Sequence, residues 1–336
     1  MRVLHAVVLM LGVVAALLAL VFLWLAIGVH LSGIGQRLAQ AAVLVTLALV
    51  LWGLGTGRLL LPFGVAAGIA LVMTLWWSFL PASNDRDWAP EYARNLTASF
   101  DGDIVTLGNV RNFRWQTTAT AAESWETRVF DAATVTSVDV FTVIWGNPNI
   151  AHVMVSFGFA DGRHIAFSAE TRRRAGQVYS TFGGFVREFE LTLLAADERD
   201  VIWLRTDLRG ERVSVFPLTL TPEVRRDLFL AFAHFAEDLD RQPRWYNTLL
   251  DNCTTVPLRI VRNLKPGVPL DWRILASGRL PAYLHDLGVL RPDLDLATIE
   301  AKAVLPAFGP WPADGIAYSR AIRAAWQAGP DLSPAP

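Results

Sequence analysis

The fold is decided by the stretch Ala151-His-Val-Met-Val-Ser-Phe-Gly-Phe-Ala-Asp-Gly-Arg-His-Ile-Ala-Phe-Ser-Ala-Glu170. It contains two runs of β-branched and aromatic residues separated by Ala160, Asp161 and Gly162, an arrangement typical of a β-hairpin. The three intervening residues fit a loop in which a type I turn is followed by a glycine in the left-handed conformation. The stretch therefore predicts two antiparallel strands joined by a short, defined turn.

The length of this loop determines which side chains are neighbours across the hairpin. With three loop residues, Phe159 pairs with Arg163, and His152 lies opposite Glu170 with His164 on the same face. A two-residue Asp-Gly turn would shift the register by one and separate His152 from Glu170. We predict the first register, because the three residues fit the longer loop. It places a carboxylate beside an imidazole, which fixes the tautomer of the ring and raises its basicity, as a Cys–His pair needs. The alternative is an ordinary hairpin with one polar face and no catalytic role, which has the same sequence pattern.

Strand-like segments lie on both sides of this hairpin, and helical patterns follow them. One helix begins at Thr221-Pro222-Glu223, with threonine as cap and proline at the first helical position, and a second begins near Cys253. Strands followed by helices predict an α+β fold with an antiparallel sheet and a helix that carries the cysteine. The predicted strands are Ile104–Leu107, Val135–Ile144, Ala151–Phe159, His164–Ala169, Val186–Leu194, Val201–Leu204 and Val213–Leu218.

Three apolar runs near the N-terminus predict transmembrane helices. Each is close to the ~20 apolar residues that cross the hydrocarbon core of a bilayer, and the breaks between them are short enough for tight connections. A cleaved signal peptide fits the first run poorly, because the run is long and two further runs follow it. The runs are Val3–Val29, Leu38–Gly55 and Leu59–Leu80.

The few charges around these runs predict their orientation. Arg2 and Arg58 fall on one side of the membrane and Arg37 on the other, and positive charge favours the cytoplasmic side. Three crossings then place everything after Pro81 outside the cytoplasm. We predict a multi-pass protein of a bacterial inner membrane. It would have a transmembrane module at 1–81, a periplasmic domain at 85–325, and a Pro-rich, frayed tail at 326–336.

Composition restricts the classes of function. The formal net charge of −1 gives no reason to expect a nucleic-acid partner. The single cysteine and the absence of HExxH or CxxC patterns argue against a metal site, and no Gly-rich phosphate loop or GxSxG element is present. We therefore predict neither a metal nor an organic cofactor.

Cys253 lies in the segment Trp245-Tyr-Asn-Thr-Leu-Leu-Asp-Asn-Cys253-Thr-Thr and is the only cysteine of the chain. In an exported domain it has no partner for an intramolecular disulfide, so it is either an inert buried thiol or one kept for its reactivity. Cap-type residues around it predict a nearby helix N-terminus, which lowers a thiol pKa. A helix that began at Cys253 would meet Pro257, so we expect the cysteine just before the first turn.

Two histidines are the best candidates for a base beside this thiol. His5 and His30 belong to the apolar N-terminal part, and His234 and His285 are more consistent with structural or surface positions. The hairpin histidines, numbered 152 and 164, remain.

Several blocks resemble the periplasmic domain of the Bacteroides-type lipoprotein N-acyltransferases, a family long known only as a domain of unknown function. The resemblance covers about residues 85–325 and is strongest at the Asn-Cys-Thr-Thr segment and the first hairpin strand. The blocks are Val110-Arg-Asn-Phe113, Ala151-His-Val-Met-Val-Ser-Phe157, Ser168-Ala-Glu-Thr-Arg172, Phe189-Glu-Leu191, Asp197-Glu-Arg-Asp200 and Tyr246-Asn-Thr-Leu-Leu-Asp-Asn-Cys-Thr-Thr255.

The order of a histidine strand, a second strand and a later Asn-Cys helix is also similar to the permuted papain-like enzymes, such as the NlpC-type and lecithin:retinol acyltransferase groups. This resemblance implies that Cys253 is an acyl-accepting nucleophile and His152 its base. Glu170 or His164 would orient the base. Asn252 or backbone amides near the cysteine would bind the oxyanion.

Three functions fit these observations. The first is a membrane-anchored thiol acyltransferase that takes an acyl group from membrane lipid or a lipoprotein and passes it to an amine. The second is a Cys–His peptidase or amidase that acts on cell-wall peptide. The third is a non-enzymatic envelope module that binds lipid or a partner protein, which a Cys253 buried far from His152 would support.

Overall fold

The computed structural model describes residues 2–58 and 60–327. The chain divides into two compact units. One comprises the residues up to Ser83 together with Tyr179–Phe189, and the other comprises Asn84–Val178 and the residues from Glu190 onward. An excursion from the second part of the chain therefore belongs to the N-terminal unit, which the sequence did not predict.

The first unit consists of three apolar helices and this excursion. Helix α1 is Arg2–His30, α2 is Gly33–Thr56 and α3 is Leu60–Ser78. In the described chain, the windows Met10–His30 and Gly33–Thr56 are long and apolar enough to cross a membrane, whereas the apolar part of α3 is shorter. Three helices are present where the sequence predicted them, and the third crossing stays a prediction.

The excursion is attached to these helices by polar and cation–π contacts. The carbonyl oxygen of Val186 lies 2.7 Å from Nε2 of His30. The guanidinium of Arg187 lies 3.7 Å from the ring centre of Trp77 and donates to the Trp77 carbonyl. Arginine over a tryptophan face is a favourable arrangement at such a partly buried site.

The second unit is built on one large sheet, in the order β1-β2-β9-β8-β7-β6-β10, with β5 paired to β2. Neighbouring strands are antiparallel, except that β2 and β9 meet in a single parallel pair. The strands are β1 Thr97–Asp101, β2 Ile104–Arg111, β3 Arg114–Trp115, β4 Ala121–Ala122, β5 Trp125–Asp131, β6 Val135–Ile144, β7 His152–Phe159, β8 His164–Arg172, β9 Glu190–Ala196 and β10 Arg212–Pro217.

Helices cover both faces of this sheet, as an α+β layout requires. Helices α5 and α6 pack on one face over an aromatic core that includes Phe157, Phe167, Phe229 and Phe232. Short helices and the returning C-terminal segment cover the remainder. The helices are α4 Glu198–Val201, α5 Pro222–Arg241, α6 Thr255–Leu264, α7 Leu280–Asp286, α8 Leu296–Ala303, α9 Gly315–Ala321 and α10 Ala324–Gln327.

The predicted α+β class is confirmed, but some predicted strand positions were wrong. Val201–Leu204 is helical, because the Asp197 side chain accepts from the Arg199 amide and begins α4 there. The strand predicted from Val186 begins only at Glu190, and the edge strands β1 and β5 were missed. Of the predicted tail, Trp326 and Gln327 belong to α10 and the rest lies outside the described residues.

A buried charge network connects the sheet to the C-terminal segment. The guanidinium of Arg323 donates to Asp139 at 2.8 Å and to Glu198 at 2.6 Å, and Glu198 also accepts from the Ser156 hydroxyl at 2.6 Å. Burial opposes the ionisation of Glu198, but the Arg323 charge outweighs it and lowers the pKa of Glu198 to about 2. Removal of the arginine would therefore leave two buried carboxylates without their partner.

We expect Arg323→Leu to lower the free energy of unfolding by about 3–5 kcal/mol near neutral pH, because breaking a buried ion pair leaves uncompensated charge. The exposed neighbour Arg320 offers a matched control, and Arg320→Leu should change the free energy of unfolding by less than about 0.5 kcal/mol. The Glu198 contribution is present above its unfolded pKa near 4.5 and is lost as pH falls towards 2. Denaturant unfolding followed by tryptophan fluorescence measures the free energy of unfolding of each variant and its dependence on pH. Equal losses of stability in the two variants would contradict the prediction.

Candidate active site

Cys253 lies two residues before the first residue of helix α6, ahead of the first turn as the position of Pro257 predicted. The helix begins at Thr255, so this proline falls in the first turn, where a missing N–H costs little. Thr254 is the N-cap residue, but its side chain makes no capping hydrogen bond. Instead, Oδ1 of Asn252 accepts from the amides of Thr254 at 2.8 Å and Thr255 at 2.9 Å. The side-chain nitrogen Nδ2 of Asn252 in turn donates to the Thr248 carbonyl at 2.7 Å, which fixes the loop that carries the cysteine.

The Cys253 thiol is half-buried and faces the beginning of β7. Its sulfur lies 3.9 Å from the Ala151 carbonyl oxygen and 3.8 Å from Oγ1 of Thr254. Burial alone would raise the pKa of Cys253, but a hydrogen bond and charge interaction with His152 lower it. The sulfur thus lies beside the backbone that carries His152, close enough for the imidazole to act on it, and not far from His152 as the non-enzymatic hypothesis would favour.

His152 is held by polar side chains of β8. Its Nε2 lies 2.7 Å from the Ser168 hydroxyl and 3.0 Å from Oε1 of Glu170, and the Ser168 hydroxyl donates to the same carboxylate oxygen at 2.8 Å. Because Nε2 is engaged in this way, Nδ1 is the ring nitrogen available to the thiol.

The predicted hairpin register is confirmed. Gly162 has a φ of +85°, the left-handed conformation that the three-residue loop requires. The Phe159 amide donates to the Arg163 carbonyl at 3.0 Å, and Val155 pairs with Phe167 further along the strands. This register places His152 and Glu170 side by side.

Charge around Glu170 favours a protonated imidazole. Burial would lower the pKa of His152, but the Glu170 carboxylate outweighs burial and raises it to about 9. Burial likewise opposes the ionisation of Glu170, yet His152 and Arg205 hold its pKa well below the usual range. Nη2 of Arg205 lies 3.6 Å from Oε1 of Glu170.

His164, the alternative orienting residue, lies elsewhere on the hairpin. It pairs with Gly158, and its Nδ1 is 3.1 Å from the Gly162 carbonyl oxygen. Gly158 is six residues from His152 along β7, which corresponds to roughly 20 Å. The structure therefore brings Glu170, and not His164, to the imidazole.

Sequence reasoning missed two polar residues of the site. Arg205 follows the segment wrongly predicted as a strand, although the neighbouring Asp197-Glu-Arg-Asp200 block had marked this part of the chain. Ser277 lies beyond α6, and its hydroxyl accepts from the Ala151 amide at 2.8 Å and donates to the Ala151 carbonyl at 2.7 Å. The residues next to Arg205 and Ser277 in sequence form no motif that would place either side chain at the site.

A glycine allows the Ser277 segment to approach the beginning of β7. A Cβ at Gly278 would come within 2.0 Å of the Pro148 carbonyl oxygen, so a side chain there is incompatible with this contact. The Gly278 amide donates to the Asn149 carbonyl at 3.0 Å. This segment therefore supports the backbone that presents His152.

The arrangement is suited to nucleophilic chemistry by a thiol. Among the described residues, no group of histidine, cysteine, aspartate and glutamate side chains is placed to hold a metal ion. A thiol beside an imidazole, which in turn is oriented by a carboxylate, is the general geometry of an activated nucleophile.

Comparison with known proteins gives a family match over part of the second unit. Residues 121–278 match the family model described as the Lnb N-terminal periplasmic domain. No curated protein matches the chain, and no solved structure matches it. The resemblance to the lipoprotein N-acyltransferase family is thus confirmed over these residues, which include every candidate site residue, whereas the permuted papain-like fold stays a prediction.

The family match and the apolar helices fit a membrane-anchored protein with this domain in the periplasm.

We expect His152→Ala to lower the rate of Cys253 alkylation by iodoacetamide at pH 6 by at least about tenfold, because the thiolate loses its imidazolium partner and burial then raises the thiol pKa. His164→Ala is the matched control on the same hairpin and should leave the rate within about twofold of wild type. The label reports one site because Cys253 is the only cysteine. Equal rates in wild type and His152→Ala across pH 5–9 would contradict the assignment.

Proposed function

Taking residues 121–278 as an Lnb N-terminal periplasmic domain, we propose that this protein is a membrane-anchored, periplasm-facing Cys–His acyltransferase. It would take an acyl group from a lipid or lipoprotein ester as a thioester on Cys253 and pass it to an amine, such as a lipoprotein N-terminus. The observation that carries this proposal is the position of the Cys253 sulfur, 3.9 Å from the carbonyl oxygen of Ala151 and so beside His152, whose ring lies 3.0 Å from the Glu170 carboxylate.

The first half-reaction forms the thioester. The Cys253 thiolate attacks the ester carbonyl carbon, so that a C–S bond forms and the C–O bond to the alcohol breaks. The His152 imidazolium gives its Nδ1 proton to the departing alkoxide, which leaves as an alcohol. The Glu170 carboxylate stabilises the imidazolium before this transfer and keeps the ring in place.

The second half-reaction transfers the acyl group. The amine nitrogen attacks the thioester carbonyl carbon, so that a C–N bond forms and the C–S bond breaks. The now neutral His152 accepts a proton from the nitrogen, and the leaving thiolate is again paired with an imidazolium. The products are an amide and the regenerated thiolate–imidazolium pair. The reaction needs no further reagent.

The backbone amide of Cys253 is the best placed oxyanion donor. Asn252 already occupies the amides of Thr254 and Thr255, whereas in the described chain the Cys253 amide donates to no protein group. A free amide beside a nucleophile, at the N-terminus of a helix, stabilises a developing negative charge. Asn252 would therefore be a positioning residue, and the predicted direct role of its side chain in the oxyanion site is not part of this proposal.

Exposed apolar side chains on the segments that lead to His152 and to Cys253 favour a lipid substrate over cell-wall peptide. Trp145 is 54% exposed and Ile150 49% in the segment that leads into β7. Leu250 is 69% exposed and Leu249 47% in the loop that leads to Cys253. Apolar side chains grouped beside a reactive group are typical of a surface that meets lipid. Three crossings of the inner membrane by α1, α2 and α3 would keep this surface near its substrate.

We expect Cys253→Ser to reduce acyl transfer from a radiolabelled phospholipid to a lipopeptide amine by at least about 1000-fold, since the replacement alcohol is not ionised by the imidazole. His152→Ala should have a comparable effect, whereas His164→Ala should retain most of the transfer. The assay uses the full chain in mixed detergent–phospholipid micelles, with label in the acceptor as the readout.

Undiminished transfer by Cys253→Ser would refute the nucleophile. If transfer is absent in the wild type and a cell-wall peptide is cleaved in a Cys253-dependent reaction without lipid, the peptidase hypothesis replaces this one.

A further inference from the structure

The excursion Tyr179–Phe189 lies at one end of the apolar helices of the first unit. The Val186 carbonyl contacts His30, the last residue of α1, and the Trp76 ring of α3 packs edge-on against the same imidazole, with 5.9 Å between ring centres. The C-terminal ends of α1 and α3 therefore meet at the excursion. Because the window of α1 that ends at His30 is long and apolar enough to cross a membrane, this end marks the level at which the chain leaves the hydrocarbon.

The excursion is an ordered segment with many of its backbone groups paired internally. The amide of Gly183 donates to the Ser180 carbonyl at 3.2 Å, and that of Phe185 donates to the Phe182 carbonyl at 3.0 Å. The Glu188 amide donates to the Gly183 carbonyl at 3.0 Å. Backbone groups that are already paired lower the cost of moving a segment into the less polar part of a bilayer.

Two aromatic side chains of the excursion are exposed. Phe182 is 69% exposed and Tyr179 50%, although the Tyr179 ring also stacks on the buried ring of Phe189. Exposed apolar side chains also run along α1 as far as Val29, one residue before His30. Exposed aromatic rings at the end of a membrane-spanning helix are typical of the interface between lipid and water.

Arg187 brings a positive charge without an acidic partner to the same level. Its guanidinium packs on the Trp77 ring and donates to the Trp77 carbonyl. Burial lowers the pKa of Arg187, and in the described part of the chain no carboxylate charge offsets this effect. The carboxylate of Glu188 lies against Gly183 instead. Arg187 also has a φ of +59°, which is uncommon for a residue with a side chain, so the fold accepts backbone strain to hold this side chain in place.

We propose that the excursion Tyr179–Phe189 is a membrane-interface segment in which Arg187 binds the phosphate of a phospholipid headgroup and Phe182 inserts beside the acyl chains. A guanidinium has several N–H groups in a planar fork that matches two phosphate oxygens, and the Trp77 carbonyl uses only one side of it. Phosphate is the anion that a bilayer offers where its hydrocarbon ends. This inference goes beyond the acyl-transfer chemistry and does not depend on it.

The depth of Phe182 is tested by fluorescence quenching in the full chain. Cys253→Ser removes the only cysteine, and Phe182→Cys then carries a single nitrobenzoxadiazole label in phosphatidylcholine vesicles. Leu18→Cys is the matched control, because Leu18 is exposed near the middle of α1. We expect lipids brominated near the headgroup to quench the Phe182 label at least about twofold more than lipids brominated near the chain ends, and the Leu18 label to show the reverse order.

A Phe182 label that soluble iodide quenches and that neither brominated lipid quenches would overturn the interface placement.

The phosphate contact is tested by native mass spectrometry of the detergent-purified full chain, which counts bound phosphatidylglycerol. Diacylglycerol, which has the same chains and no phosphate, is offered in parallel and should not be retained. We expect Arg187→Gln to retain at least about fivefold less phosphatidylglycerol than the wild type, and Arg187→Lys an intermediate amount, because lysine keeps the charge without the planar fork. Arg94→Gln, which removes an exposed arginine of the second unit, is the control and should match the wild type.

Equal retention of phosphatidylglycerol by the wild type and Arg187→Gln would overturn the phosphate contact. An equal loss in Arg187→Lys and Arg187→Gln would also overturn it, because the arginine would then act by packing on Trp77 and not by its charge. An unchanged rate of Cys253 alkylation shows that each variant keeps its candidate active site. None of these measurements uses acyl transfer as its readout, so the result stands whether or not the proposed function is correct.

Discussion

The largely buried carboxylate of Glu170, held against His152, is the interaction on which the rest of the site depends. A carboxylate in this position would be costly without partners, and it has three: the His152 imidazole, the Ser168 hydroxyl and the Arg205 guanidinium. Its charge raises the pKa of His152 to about 9, and the imidazolium in turn lowers the pKa of Cys253. Loss of the Glu170 charge would therefore raise the pKa of the Cys253 thiol through His152, although Glu170 is not itself a partner of the thiol.

The fold delivers these groups to one end of the sheet by three independent devices. The turn at Gly162 sets the register that aligns β7 with β8. The Asn252 side chain accepts from the first amides of α6, which fixes the preceding loop and leaves Cys253 ahead of the first turn. The Ser277 hydroxyl bridges both polar groups of Ala151, so that the backbone beside the thiol is held from a third direction. Each device uses hydrogen bonds that hold the reacting groups in position.

The parts of this site that sequence predicts are those set by short-range chemistry. A loop of fixed length determines the pairing of His152 with Glu170, and Pro257 restricts where α6 begins. Arg205 and Ser277 reach the site only through tertiary packing, and nothing next to them in sequence indicates it. Val201–Leu204 was misassigned for a related reason: its apolar residues suit a strand, but the cap at Asp197 and the buried carboxylate of Asp200 impose a helical turn.

The central claim is that Cys253 carries an acyl group as a thioester, and intact-protein mass spectrometry tests it most directly. The full chain is incubated with phospholipid vesicles in the absence of an amine acceptor, so that the second half-reaction cannot proceed. The account predicts an added mass equal to one fatty acyl group on the wild type, which neutral hydroxylamine removes and which Cys253→Ser lacks. An unmodified wild type, or an acyl mass that persists in Cys253→Ser, would contradict it.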